Sequence, residues 1–171
     1  DDAYQAFVNG DAEWLDTNVG SSVTETMVAD LFAIVSPEGE IVYGWDLDEN
    51  SEPADVLTPE VIEAVRDLAE DMPVESLAAR GAVIRVDREP MVIGVSRIVP
   101  FISNPGIDPK LLPLFIAGVR LTDERLAELG QTFLIDDLRF EPGDVVPQSR
   151  GLSALATLDV FGQTIGHYVW T

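Results

Sequence analysis

The chain contains no cysteine. Disulfides, thiolate nucleophiles and sulfur-ligated zinc sites are therefore ruled out. Histidine is almost as scarce: His167 is the single one, which leaves no two-histidine metal site and no second imidazole base. Basic residues number 10 against 31 acidic ones, for a net charge of −21. That field repels phosphate backbones and anionic headgroups, so no nucleic-acid partner and no polybasic membrane contact are expected. No apolar run reaches the about 18 residues that would cross a bilayer, and no signal-peptide pattern opens the chain. Phosphate-binding glycine patterns and the G-x-S-x-G elbow are missing too, so no nucleotide cofactor and no serine-hydrolase motif is expected.

What is present fits a folded globule. Hydrophobic residues make up 46% and charged ones 24%, too apolar for a disordered chain despite its charge. A chain of this length buries roughly 70% of its unfolded surface, ample for one core and thin for two, so one domain over residues 1–171 is expected.

Turn and cap signals divide the chain. Asn9-Gly10 marks a turn and Asp11 caps a short helix carrying Trp14 and Leu15. A second helix is predicted over Ser21 to Val28. Leu31 to Val35 is apolar on both faces, and SPEG returns it to IVYGW, a hairpin with a buried first strand. Thr58-Pro59-Glu60 reads as cap, first helical residue and dipole-complementing acid, after which Val61, Val65, Leu68 and Met72 form one apolar stripe that stops before Pro73. Ala82 to Val86 and Met91 to Val99 make a second hairpin joined at Asp87 to Pro90. SNPGIDPK is a surface loop, and Leu112 to Leu121 is a strand long enough for a sheet centre. Thr122 caps a last helix with Leu126, Leu129 and Phe133 on its apolar face; a strand over Asp137 to Phe140 and a hairpin from Leu155 to Trp170, turning near Phe161-Gly162, close the chain. The order predicts an α+β fold, an antiparallel sheet with helices packed mainly on one side. SPEGEIVYGW and DVFGQTIGHYVW look alike, but their flanking helices do not recur at constant spacing, and a duplication is not inferred.

Most candidate chemistry has a plain alternative. Asp46, Asp48 and Asn50 have the D-x-D-x-N start of a calcium loop, but Ser51 stands where the sharp turn needs glycine and Leu57 where a bidentate glutamate belongs; a solvated acidic loop is the better reading. Asp136 and Asp137 are adjacent and, on a strand, point to opposite faces, so they cannot share a proton. His167, between Gly166 and Tyr168, reads as a surface or domain-edge residue rather than a base. No metal and no catalytic residue is expected.

The central strands hold the more informative pattern. One face of Met91 to Val99 carries Val92, Gly94, Ser96 and Ile98, and one face of Leu112 to Leu121 carries Leu114, Ile116, Gly118 and Arg120. Small residues leave volume, so a pocket is expected there, with Ser96 as a hydrogen-bonding group and Arg120 gripping a carboxylate. Tyr43 and Trp45 share a strand face and could wall it, and Arg97, opposite Ser96, is a weaker candidate. Against this, strand glycines and aromatics usually serve core packing, and Arg120 could pair with Asp123 or Glu124.

One resemblance ties these segments together. Asp1, Asp2 and Tyr4 open the chain, and Trp14 is followed by the D-x-N-hydrophobic-G step Asp16, Asn18, Val19 and Gly20. Asp30 to Val35, Gly39 and Ile41 to Trp45 then make strand, turn and strand. This pattern resembles the CHASE4 domain, an extracytoplasmic sensor of bacterial membrane signalling proteins. VRLTDERLAELGQTFLIDDLRF is similar to that family's closing helix and L-x-D-L-R strand, with an extra Asp136, and GQTIGHYVW to its final hairpin. The resemblance implies a PAS-like sheet, a periplasmic sensory domain and no enzyme activity, with a possible small-molecule ligand and output through cyclic-di-GMP turnover or a histidine kinase. It also implies a helix before Asp1, membrane segments outside these residues and a homodimer in the full receptor; the present chain is then expected to be a monomer or weak dimer. Two alternatives remain: a small hydrolase using scattered carboxylates, and a ligand-free cytoplasmic PAS-type interaction module.

Overall fold

The computed structural model describes residues 2–20, 29–73, 78–100 and 107–171. They form two compact units, Asp1–Gly81 with Ile93–Val119, and Ala82–Val92 with Arg120–Thr171.

In the first unit the expected caps at Asp11 and Thr58 form, after a first helix that the sequence did not predict. The Asp2 carboxylate accepts the Gln5 N–H at 2.9 Å to start α1 (Ala3–Asn9), and Gly10, at φ 66, ends it. Asp11 accepts the Trp14 N–H at 3.0 Å to start α2 (Ala12–Leu15), which runs into a π-helical turn over Asp16–Gly20. The helix predicted over 21–28 lies outside the described residues. Strand β1 (Leu31–Val35) is buried at every position, because both of its faces are covered. It pairs antiparallel with β2 (Ile41–Asp46). After α3 (Pro53–Val56), the Thr58 hydroxyl accepts the Val61 N–H and Pro59 opens α4 (Pro59–Glu70). The buried stripe of α4 is Val61, Ile62, Val65 and Ala69, with Met72 beyond it. Leu68, expected in that stripe, is only half-buried, because the i, i+4, i+8 row through Val61, Val65 and Ala69 takes the centre of the face. Arg97 closes the helix end, its guanidinium donating to the Met72 and Glu70 carbonyls.

Strands β3 (Ala79–Val86) and β4 (Glu89–Arg97) form the second hairpin. Its turn is tighter than expected, since Asp87 adopts φ 55 and Glu89 and Pro90 already belong to β4. Of the expected surface loop, 103–106 lies outside the described residues and Pro109–Leu111 is a 3-10 turn. Strand β5 (Leu114–Arg120) is the middle strand of a five-stranded antiparallel sheet in the order β2-β1-β5-β4-β3. The fold is α+β with a PAS-like antiparallel sheet.

In the second unit Thr122 caps α5 (Asp123–Phe133), its hydroxyl accepting the Arg125 N–H. The apolar face differs from the predicted one. Leu126 and Gly130 are buried, whereas Leu129 and Phe133 are 37% and 66% exposed. The chain turns back at Leu134, φ 57, and the Ile135 N–H bonds the Gly130 carbonyl at 2.8 Å. That return covers the Leu126–Gly130 side and leaves the other open. Asp136 and Asp137 consequently lie in a turn, with Asp137 at φ 52, and not on a strand.

The terminal strands β6 (Arg139–Pro142), β7 (Ser153–Leu158) and β8 (Thr164–Trp170) form a second sheet of their own, in the order β6-β8-β7. His167, expected at a surface or edge, is 2% exposed. It sits on the middle strand, where Ile165, His167 and Val169 alternate onto the buried side.

Candidate functional site

The register of β1 sorts the site. Residues directly opposite in an antiparallel pair share a face. Phe32 stands opposite Trp45 and Ala117, and Ile34 opposite Tyr43 and Phe115, so these six side chains belong to one face. Phe32 is fully buried and is the hub of the ring contacts, 5.6 Å from Tyr43 edge-on, 6.0 Å from Trp45 and 5.0 Å from Phe115. From α1, α2 and the π-helical turn, Tyr4, Phe7, Trp14 and Val19 pack on the same cluster, with Ala6 and Leu15 buried in it.

Strand β4 joins this face in a determined register. The Ile98 N–H donates to the Pro113 carbonyl and the Leu121 N–H to the Pro90 carbonyl, both at 2.9 Å. Both bonds correspond to one antiparallel pairing of β4 with β5, which sets Gly94 opposite Ala117 and Ser96 opposite Phe115. Ile98, next in the same alternation, belongs to the Phe32 cluster.

Four of the six expected site residues are thereby brought to one face, namely Tyr43, Trp45, Gly94 and Ser96. Gly118 and Arg120 are not. Gly118 stands opposite Leu31, on the other face, and Arg120 follows it two residues along β5. Arg97 likewise alternates away from Ser96 and holds the end of α4. The carboxylate-gripping guanidinium expected beside Ser96 is thus absent from this face of β4 and β5. The cause is the period of two: the strand faces were grouped correctly one strand at a time, but which face of β5 meets which face of β4 depends on a register that no single strand encodes.

The D-x-N-x-G step has a physical role here. The Tyr43 hydroxyl donates to the Asp16 carboxylate at 2.6 Å. Asn18 donates to the Trp14 carbonyl at 3.0 Å, tying the π-helical turn to α2. At Gly20 a side chain would run into the Tyr43 hydroxyl, so only glycine admits this approach. Asp16, Phe115 and Ala117 were missing from the expected site, although the motif spacing marked Asp16.

Burial and the Asp16 carboxylate together push the Tyr43 hydroxyl up to about 12. A raised pKa means the folded state holds the proton longer than the unfolded state does, so this contribution is whole below pH about 10 and is lost as pH rises towards about 12. Tyr43→Phe is therefore expected to flatten the fall in stability between those values, and to cost roughly 1 kcal/mol at neutral pH for the lost hydrogen bond. Denaturant melts of both proteins at neutral pH and through the alkaline window read this directly. Equal alkaline slopes would show that the pair does not couple to folding.

The described residues leave space at one point of the face. Among them, a Cβ added at Gly94 meets no heavy atom within 4 Å, whereas at Gly44 it would collide with the Phe32 carbonyl and at Gly166 with the Phe140 ring. Ser96, Phe115 and Ala117 beside it are each partly exposed. The arrangement offers aromatic and apolar walls with a few polar groups, the make-up of a small-molecule site. A cleft of about 450 Å³ in the second unit, lined by Gln131, Leu134, Asp136 and Asp137 among others, is half open and walled mostly by exposed side chains, which suits a ligand less well. In the Asp46–Ser51 loop the carboxylates are occupied by the loop itself, Asp46 accepting from Asp48 and Ser51, and Asp48 from Asn50. Among the described residues, no group of three His, Asp or Glu side chains forms a metal site, and no helix is long and apolar enough to cross a membrane.

The CHASE4 domain model matches residues 1–141. The chain belongs to the CHASE4 family. CHASE4 domains are extracellular sensory modules, not catalytic ones. The match takes in every element of the aromatic face and ends at Glu141 within β6, so the likeness of GQTIGHYVW to the family's final hairpin lies beyond it. No curated protein matches the chain.

Proposed function

We propose that residues 1–171 act as one periplasmic input domain of a bacterial membrane signalling protein, and that a small molecule binding the aromatic face of the five-stranded sheet is its cue. The observation that carries this reading is the space that the described residues leave over Gly94, bordered by Ser96 and Ala117 on a face otherwise made of aromatic and aliphatic side chains. Membership of the CHASE4 family supports a sensory role, and the make-up of the face favours a compact ligand with an apolar or planar body and one or two hydrogen-bonding groups. A ligand shifts a receptor only by the difference in its affinity for two states. Closure of α1, α2 and the π-helical turn on the sheet, through Tyr43 and Asp16, is the arrangement such a ligand would favour. Output passes to a cytoplasmic module for cyclic-di-GMP turnover or to a histidine kinase, and the assembled receptor is a homodimer.

Gly94→Leu tests the site, because its Cβ meets no described atom within 4 Å and the rest of the side chain would fill the space proposed for the ligand. Melting curves against a panel of amino acids, organic acids and polyamines are expected to show a stabilising ligand for the parent chain and no shift with Gly94→Leu, while Arg120→Ala keeps the shift. A ligand shift that survives Gly94→Leu but is lost with Arg120→Ala would move the site to the other face of the sheet. Stabilisation by polyamines alone would assign binding to the acidic surface.

A further inference from the structure

Strand β7 is a lightly guarded sheet edge, its one pairing irregularity lying at its end, between Thr157 and Leu158. Among the edge strands, β6 carries Arg139, Glu141 and Pro142, β2 ends on Asp46, and β3 carries two arginines and accepts the Val160 N–H at Val83 at 2.8 Å. Strand β7, Ser-Ala-Leu-Ala-Thr-Leu, has neither charge nor proline, and five of its six residues are exposed, Leu155 by 60% and Leu158 by 54%. Proteins normally blunt such edges with charges, prolines or bulges. In a chain with 31 acidic residues, the whole stretch 145–158 holds none and carries Arg150.

The outward backbone groups follow from the neighbouring strand. The Ile165 carbonyl accepts from Gly143 on the β6 side, so Gly166 turns to β7, where it pairs with Thr157. Alternation then directs Ser153, Leu155 and Thr157 towards β8 and leaves the N–H and C=O groups of Ala154, Ala156 and Leu158 pointing out.

We propose that β7 pairs antiparallel with β7 of a second copy of this chain about a two-fold axis through Leu155, joining the two three-stranded sheets into one. The sequence is self-complementary about that point. Ser153 falls opposite Thr157 of the other copy, Ala154 opposite Ala156 in the hydrogen-bonded positions, and Leu155 opposite Leu155. Arg150, in the turn that precedes β7, lies at the end of this pairing nearest Asp159 of the other copy, twice over, so that opposite charges flank a strand that itself carries no acid. The dimer is weak at low salt, because the remaining surfaces repel, and tightens as salt screens them.

Sedimentation velocity over a concentration series at low and moderate sodium chloride is expected to show a reversible dimer whose population rises with salt. Leu155→Lys places two like charges face to face and should weaken it by at least about tenfold. Arg150→Glu, at an exposed position, is the second variant and should weaken it in the same direction. Amide exchange at Ala154 and Ala156 should slow as the parent dimerises, which a dimer formed through another surface would not produce. A monomer at every concentration and salt, or a dimer indifferent to both substitutions with fast exchange at Ala154 and Ala156, overturns the proposal.

Discussion

Phe32→Ala is expected to lower the unfolding free energy by about 4 kcal/mol, since emptying a fully buried phenylalanine site costs about 3–5 kcal/mol. Phe32 is 0% exposed and, among the described residues, is the one ring in contact with three others, Tyr43, Trp45 and Phe115, drawn from two neighbouring strands. The cavity cannot be relieved by collapse of β1, because that strand is hydrogen-bonded on both sides and buried on both faces. A loss of that size lowers the melting temperature by roughly 8–16 °C in a chain of this length. The aromatic face would loosen with it, so ligand binding should fail even where the variant remains folded. A loss under about 1 kcal/mol would mean that the Phe32 cluster is not the centre of this unit's stability.

Gly44→Ala is expected to cost about 3 kcal/mol, within the usual range for forcing atoms into a packed site. The new methyl would run into the Phe32 carbonyl oxygen and lie 3.0 Å and 3.2 Å from Ala33 Cα and Cβ. The first of these is backbone, and it belongs to the strand at the centre of the core. Relief therefore requires β1 and β2 to separate. Gly94→Ala is the matched control, because it adds the same methyl on another strand of the same sheet where none of the described residues lies within 4 Å. It should be neutral, or stabilising by up to about 1 kcal/mol through the lower freedom of the unfolded chain. Chemical denaturation of the two variants side by side decides the matter, and similar costs at both positions would refute the assignment of open space over Gly94.

Caps and turns were legible because their determinants are local. Thr58 and Thr122 hold the first N–H groups of their helices, Gly10 takes a left-handed backbone, and Leu31 to Val35 declares its burial by having no polar residue. The D-x-N-hydrophobic-G step identified the family for the same reason: Asp16, Asn18 and Gly20 act within one turn, which the Tyr43 hydroxyl reaches from afar. Helix faces were less legible. Leu129 and Phe133 of α5 follow the helical period, yet what covers that helix is its own returning chain at Ile135 and Leu138, which selects Leu126 and Gly130 instead.

The sequence by itself determined most strands, the two long helices with their threonine caps, the alternation within each strand and the family, all of which rest on contacts a few residues apart. Only the tertiary structure decided which strand faces meet. Gly94, Ser96, Tyr43 and Trp45 share a surface, while Gly118 and Arg120 belong to the opposite one. His167 is buried because β8 is the middle strand of its sheet. The physical reason is that a strand's side chains repeat every two residues, so a single-residue change of register would exchange its two faces without altering any local preference. That register is held by bonds between residues far apart in the chain, such as Ile98 to Pro113 and Leu121 to Pro90.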